Sequence, residues 1–126
     1  MTPEELADLV GRLLLTHRLD PDLATRAVGI GRDVVEEMIA TGRIGALLDE
    51  AQIVRLRLLA SILVRLEVRF RGDGKRIRAA LHMPLDHLGG ASIADRMGDS
   101  IEGLRAIRSA TESLEEPKVR TWRIDH

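Results

Sequence analysis

The residues best equipped for chemistry in this 126-residue chain are its four histidines, His17, His82, His87 and His126, because there is no cysteine at all. Without thiols, disulfides, thiolate zinc sites and thiol nucleophiles are excluded. His82, Asp86 and His87 form a His-x3-Asp-His cluster whose residue types ligate divalent metals. The cluster lacks a third reliable ligand and the i, i+4 helical register, so no metal is expected there. Ser92, in Leu88-Gly-Gly-Ala-Ser92, lacks nucleophile-elbow spacing and has no base assigned to it. Gly29-Ile30-Gly31 has neither the third glycine of a dinucleotide loop nor a strand before it. These patterns predict no catalytic residue, no cofactor and no enzyme. A histidine-dependent enzyme or metal protein is the third of three readings, and bound metal after purification would be its mark.

The remaining chemistry is charge. The net charge of −1 divides sharply along the chain. Residues 1–52 carry ten acids and five arginines, for −5; residues 53–81 carry eight bases against Glu67 and Asp73, for +6; residues 82–126 carry six bases and eight acids, for −2. Arg55, Arg57, Arg65, Arg69 and Arg71 fall on one stretch. They read either as a phosphate track or as a solvated helix side paired with the acidic first segment.

Helices must position these groups. Hydrophobic residues make up 44% of the chain but aromatics only 2%, Phe70 and Trp122, so a core of Leu, Ile, Val, Ala and Met is required. Thr2-Pro3 starts a first helix with Leu6, Leu9, Val10, Leu13 and Leu14 on one side. Asp20-Pro21 starts a short second, with Leu23, Ala24, Ala27 and Val28 on its apolar side, ended by Gly29. A third spans 31–41 and stops at Gly42, with Val34, Val35, Met38 and Ile39 on one face. A long helix follows from 47 or 49 to 70, then the Arg71-Gly-Asp-Gly74 turn, in which Asp73 caps a helix over 75–81. Residues 93–97 and 101–114 read as two more helices. No segment within these elements alternates with period two, so the fold is predicted all-α: an N-terminal helix-turn-helix bundle over 1–46, then a long helix and a small C-terminal helical domain over 47–114. Residues 115–126 form an appended arm, in which 118–124 do alternate. The acidic opening segment and the lack of an apolar run of about eighteen residues predict a soluble, cytoplasmic chain without membrane partners.

Gly29, Val35 and Met38 satisfy helix-turn-helix spacing. The exposed residues of the second helix of that motif would be Arg32, Asp33, Glu36, Glu37 and Ala40. Arg26, Arg32 and Arg43 are the candidate DNA contacts, against three acids that repel phosphate. The unit is either a DNA reader or a packing unit without DNA contacts.

Phe70, Gly72-Asp73, Ala79-Ala80-Leu81, Pro84 and Leu88-Gly89-Gly90, in this order behind a helix-turn-helix, resemble the Xre/MbcA/ParS antitoxin family over roughly residues 23–110. The Leu-Gly-Gly step with its upstream proline is the most specific part. Ala80, Leu85 and Ile93 stand where the family carries tryptophan, asparagine and proline. The resemblance implies an antitoxin that seals its partner, commonly a RES-domain toxin that consumes NAD, by docking its C-terminal helical domain and tail over the active-site cleft. It implies no catalytic residue in the antitoxin itself. Gly89, Gly90, Ile93, Met97, Arg120, Trp122 and Arg123 are then the candidate toxin-binding residues, with Ile93 and Met97 serving as core or interface and Trp122 as partner anchor or self-packing residue. A homo-oligomer or a hetero-oligomer with the toxin is expected, operator DNA being a further partner. The alternative is a stand-alone helix-turn-helix transcriptional regulator.

Overall fold

The computed structural model describes residues 1–114. The arm of residues 115–126, with Arg120, Trp122 and Arg123, lies outside the described residues. The fold is all-α, and among the described residues no helix is long and apolar enough to cross a membrane.

Helix α1, Pro3–Thr16, begins with a reciprocal capping box: the Glu5 N–H donates to Thr2 Oγ1 (3.1 Å) and the Thr2 N–H to Glu5 Oε1 (2.8 Å). The Thr2 backbone N–H, followed by its hydroxyl, holds the Glu5 carboxyl below the ordinary range. Leu6, Val10, Leu13 and Leu14 are buried. Gly11 faces α3 so closely that a Cβ there would meet the Met38 carbonyl oxygen.

The predicted second helix is a three-residue turn, α2 (Asp22–Ala24), that widens into a π turn, Thr25–Gly29. Gly29, at φ 80°, turns the chain into α3, Arg32–Thr41. Val35 and Met38 are fully buried, and Gly42, at φ 76°, ends α3 with its N–H on the Met38 carbonyl (2.8 Å). Helix α4, Glu50–Arg69, is capped reciprocally by Asp49 and Gln52. Its buried face is wide, from Leu56 and Leu58 to Leu66, because α1 packs on it from one direction and α6 from another. Helix α5, Gly74–Leu81, starts as predicted on Asp73, whose carboxylate accepts the Lys75 and Arg76 N–H groups. Helix α6, Ile101–Ala110, is capped by Ser100 and runs into a 3₁₀ turn, Thr111–Ser113.

Residues 93–97 do not form the expected helix. They make consecutive turns: the Arg96 N–H is shared by the Ser92 and Ile93 carbonyls (3.3 and 3.1 Å), and the Asp99 N–H reaches Arg96 (3.0 Å). The Ala94 N–H donates to Leu81 at the end of α5 (2.9 Å), and Ile93, Ala94 and Met97 are all buried. The apolar spacing is there, but the Ala94 N–H is taken by Leu81, and the single α-helical bond, Arg96 to Ser92, is not followed by another before Gly98.

Helices α1 and α4 end alike. After His17 and Phe70 come Arg18 at φ 55° and Arg71 at φ 54°, the two non-glycine residues in the left-handed region among those described. The next amide reaches back five residues in each case, Leu19 to Leu14 (2.9 Å) and Gly72 to Glu67 (2.8 Å), closing a Schellman turn. A side chain in this conformation costs about 1–2 kcal/mol where glycine would cost little. Buried His17 joins the two ends: its Nε2 lies 2.8 Å from Glu67 Oε2, and its carbonyl accepts Arg78 Nη1 (2.6 Å) from α5. One apolar cluster runs from Leu6 to Leu114, so the segments on either side of residue 46 share a core.

Candidate functional site

The Leu-Gly-Gly step sits in a closed ring between α5 and α6. The Leu85 N–H donates to Ala91 (3.1 Å), the Gly90 N–H to Leu85 (2.9 Å) and the Leu88 N–H back to Leu85 (3.0 Å). Such a tight reversal needs left-handed backbone at its apex, which Gly89 and Gly90 supply at φ 67° and 89°. Both glycines are exposed, while Leu88 points into the core as the ring's anchor.

Guanidinium groups fasten this loop to the rest of the molecule. Arg26 Nη1 donates to the Ala94 carbonyl (2.7 Å), and Arg55 Nη1 spans the Ala27 carbonyl of the π turn (3.1 Å) and the Asp99 carbonyl (2.8 Å). Within the loop Arg96 Nη2 reaches Leu88 (3.3 Å). Each satisfies carbonyls that no helix or sheet ladder takes up. Ser92 and Asp95 cap one another, the Ser92 N–H donating to Asp95 Oδ2 (3.1 Å) and the Asp95 N–H to Ser92 Oγ (3.0 Å). The Ser92 backbone N–H, then its hydroxyl, and more weakly the positive fields of His82 and Arg26 hold the Asp95 carboxyl below the ordinary range. Ser92 is thus a capping residue. Among the described residues no group of three or more His, Asp or Glu is placed to hold a metal ion.

The candidate toxin-binding residues separate. Gly89 and Gly90 lie at the surface, but Ile93 and Met97 are fully buried and belong to the packing beneath it, since the turn series over 93–97 directs both inward. The candidate DNA contacts separate too. Arg26 is spent on Asp22 (Nε to Oδ2, 2.9 Å) and Ala94; Arg32 pairs with Glu36 one turn on (3.4 Å); Arg43 is exposed beyond the end of α3. The exposed side of α3 is the predicted set, Arg32, Asp33, Glu36, Glu37 and Ala40, with Val35 and Met38 turned inward.

Sequence reading missed Arg55 as a fastener. A signal existed: 55, 59, 62 and 66 follow the 4-3-4 spacing of a buried stripe, so Arg55 stands on the core side of α4 with Leu59, Ile62 and Leu66. A concavity of about 800 Å³ lies between the start of α1, the end of α3 and the 43–49 connection. It is lined by Pro3, Ala7, Ile44, Leu47, Leu48 and Ile53, with Glu4, Asp8 and Arg43 as its charges. Leu47 is completely exposed.

No protein-family model matches the chain, and no curated protein matches it either.

Proposed function

We propose that this chain is a binding protein of antitoxin type, without catalytic activity of its own, whose C-terminal segment holds a cytoplasmic partner protein, a RES-like NAD-consuming toxin. The reading is carried by one observation: the Leu-Gly-Gly ring is a preorganised, exposed projection. Its backbone is closed on itself and its base is tied by Arg26 and Arg55 to two other elements. Rigid loops that keep their form before contact lose little entropy on docking. Further support comes from the sequence resemblance itself, carried by the order of Phe70, Gly72-Asp73, Pro84 and Leu88-Gly89-Gly90.

The test is co-expression with a RES-type toxin, followed by co-purification and an NAD-consumption assay. Binding with loss of NAD consumption is expected, weakened by Gly90→Val and by deletion of residues 119–126. Undiminished NAD consumption in a mixture with excess antitoxin would end the reading. The alternative regulator draws less support, because Arg26 is engaged by Ala94 and Asp22 and the open side of α3 carries three acids to one arginine.

A further inference from the structure

The opposite end of the molecule from the start of α4 gathers cations without a side-chain partner among the described residues. Arg69, Arg71 and Lys75 surround the α4–α5 turn, are exposed, and have no side-chain partner among the described residues. Arg18 joins them from the end of α1. Its neighbour His17 reaches Glu67, and the His17 Cα lies 3.4 Å from where a Cβ on Gly74 would be. The nearby acids are occupied: Glu67 faces His17, Asp73 caps α5 and pairs with Arg76, Asp22 pairs with Arg26, and Asp20 accepts the Asp22 N–H. Two of the four cations occupy the left-handed position where glycine would be unstrained. Strain of this kind at a solvent-exposed position calls for a use of the side chain.

We infer that this end is a polyanion-binding surface whose ligand is the phosphodiester backbone of a nucleic acid, read by charge and not by sequence. Guanidinium groups suit phosphate oxygens through paired N–H donors, and three of the four cations are arginine. Among the described residues the large aliphatic side chains exposed nearby are Leu15 and Val68, at 63% and 71%, with no aromatic beside them. That is too little apolar surface for the core of a protein interface or for insertion into a lipid layer. The surface is separate from the acidic face of α3 and from the Leu-Gly-Gly ring, so it stands whatever the partner of that ring.

The experiment uses the full chain and measures anisotropy of a labelled DNA duplex of arbitrary sequence and of a labelled single-stranded RNA across a salt series. Binding to either is expected, with log affinity falling against log salt at a slope of roughly −3.6 on the duplex if all four cations engage. The variant R18G/R71G removes two charges and relieves both strained positions. It should lose about 1 in slope per arginine while its melting temperature holds or rises, a combination that a purely structural role for the arginines would not give. R69Q/K75Q, which leaves the left-handed positions alone, should lose the same amount, and Arg32→Ala on α3 should lose none. Preference for DNA or RNA distinguishes the two sources of the phosphate. No binding at low salt, a slope unchanged in both double variants, an Arg32→Ala loss equal to theirs, or tighter binding to phosphatidylserine vesicles than to either nucleic acid would overturn the proposal.

Discussion

Two long connections in this molecule are built on opposite plans. Residues 43–49, between α3 and α4, leave Leu47 wholly in water and rest on half-buried Ile44 and Leu48, tied by the Arg43 N–H to Thr41 Oγ1 (3.2 Å), the Gly45 N–H to Glu37 Oε1 (3.2 Å) and the Asp49 cap of α4. Residues 82–100, between α5 and α6, are longer, yet they bury Leu88, Ile93, Ala94 and Met97 and bond to Arg26, Arg55 and α5. Length does not decide which connection is better packed. What decides is how many apolar side chains it sends inward and whether its carbonyls find donors.

The largest expected effect comes from emptying the better-built connection. Met97→Ala removes a fully buried side chain and should lower unfolding free energy by about 2–5 kcal/mol in a urea titration. A loss under about 1 kcal/mol would mean that 82–100 is no better packed than 43–49. Next is Arg55→Ala, which strands the Ala27 and Asp99 carbonyls and should cost about 1–3 kcal/mol, also by urea titration. A smaller effect is pH-dependent. Asp95 has a carboxyl depressed in the fold, so its contribution is present above the ordinary carboxylate range and is lost as pH falls through its lower folded value. Melting temperatures of Asp95→Asn and the parent chain should therefore differ at neutral pH and converge in acid; a gap that widens in acid would contradict the assignment. The smallest is Leu47→Ala, expected within about 0.5 kcal/mol by the same titration, since the residue is fully exposed and has no apolar area removed from water to lose. A large loss there would erase the contrast.

The same contrast explains what was legible in the sequence. Helices α1, α3, α4 and α5 announce themselves because capping signals and 3, 4 spacing are local: Thr2-Pro3, Gly42, Asp49 and Asp73 each act within a few residues of where they stand. The residues over 93–97 look helical by the same spacing, but their backbone is governed by Leu81, a partner distant in sequence. Arginines are harder still. Periodicity tells which side of a helix Arg55 occupies, yet a six-atom reach to Ala27 and Asp99 depends on the tertiary arrangement, as does the engagement of Arg26. Of the candidate site, the exposed glycines and the face of α3 were readable; the inward turn of Ile93 and Met97 was not, because an apolar stripe looks the same whether a neighbour or a partner covers it.

Helix α4 touches α1, α5, α6, the π turn and the closing 3₁₀ turn, whereas the other elements lean mainly on α4 and on one another in pairs. Any one of them can open while α4 keeps the rest of its cover. The middle of α4, around Leu59 to Leu63, is therefore the stretch whose amide protons exchange with solvent last, through openings that approach complete unfolding.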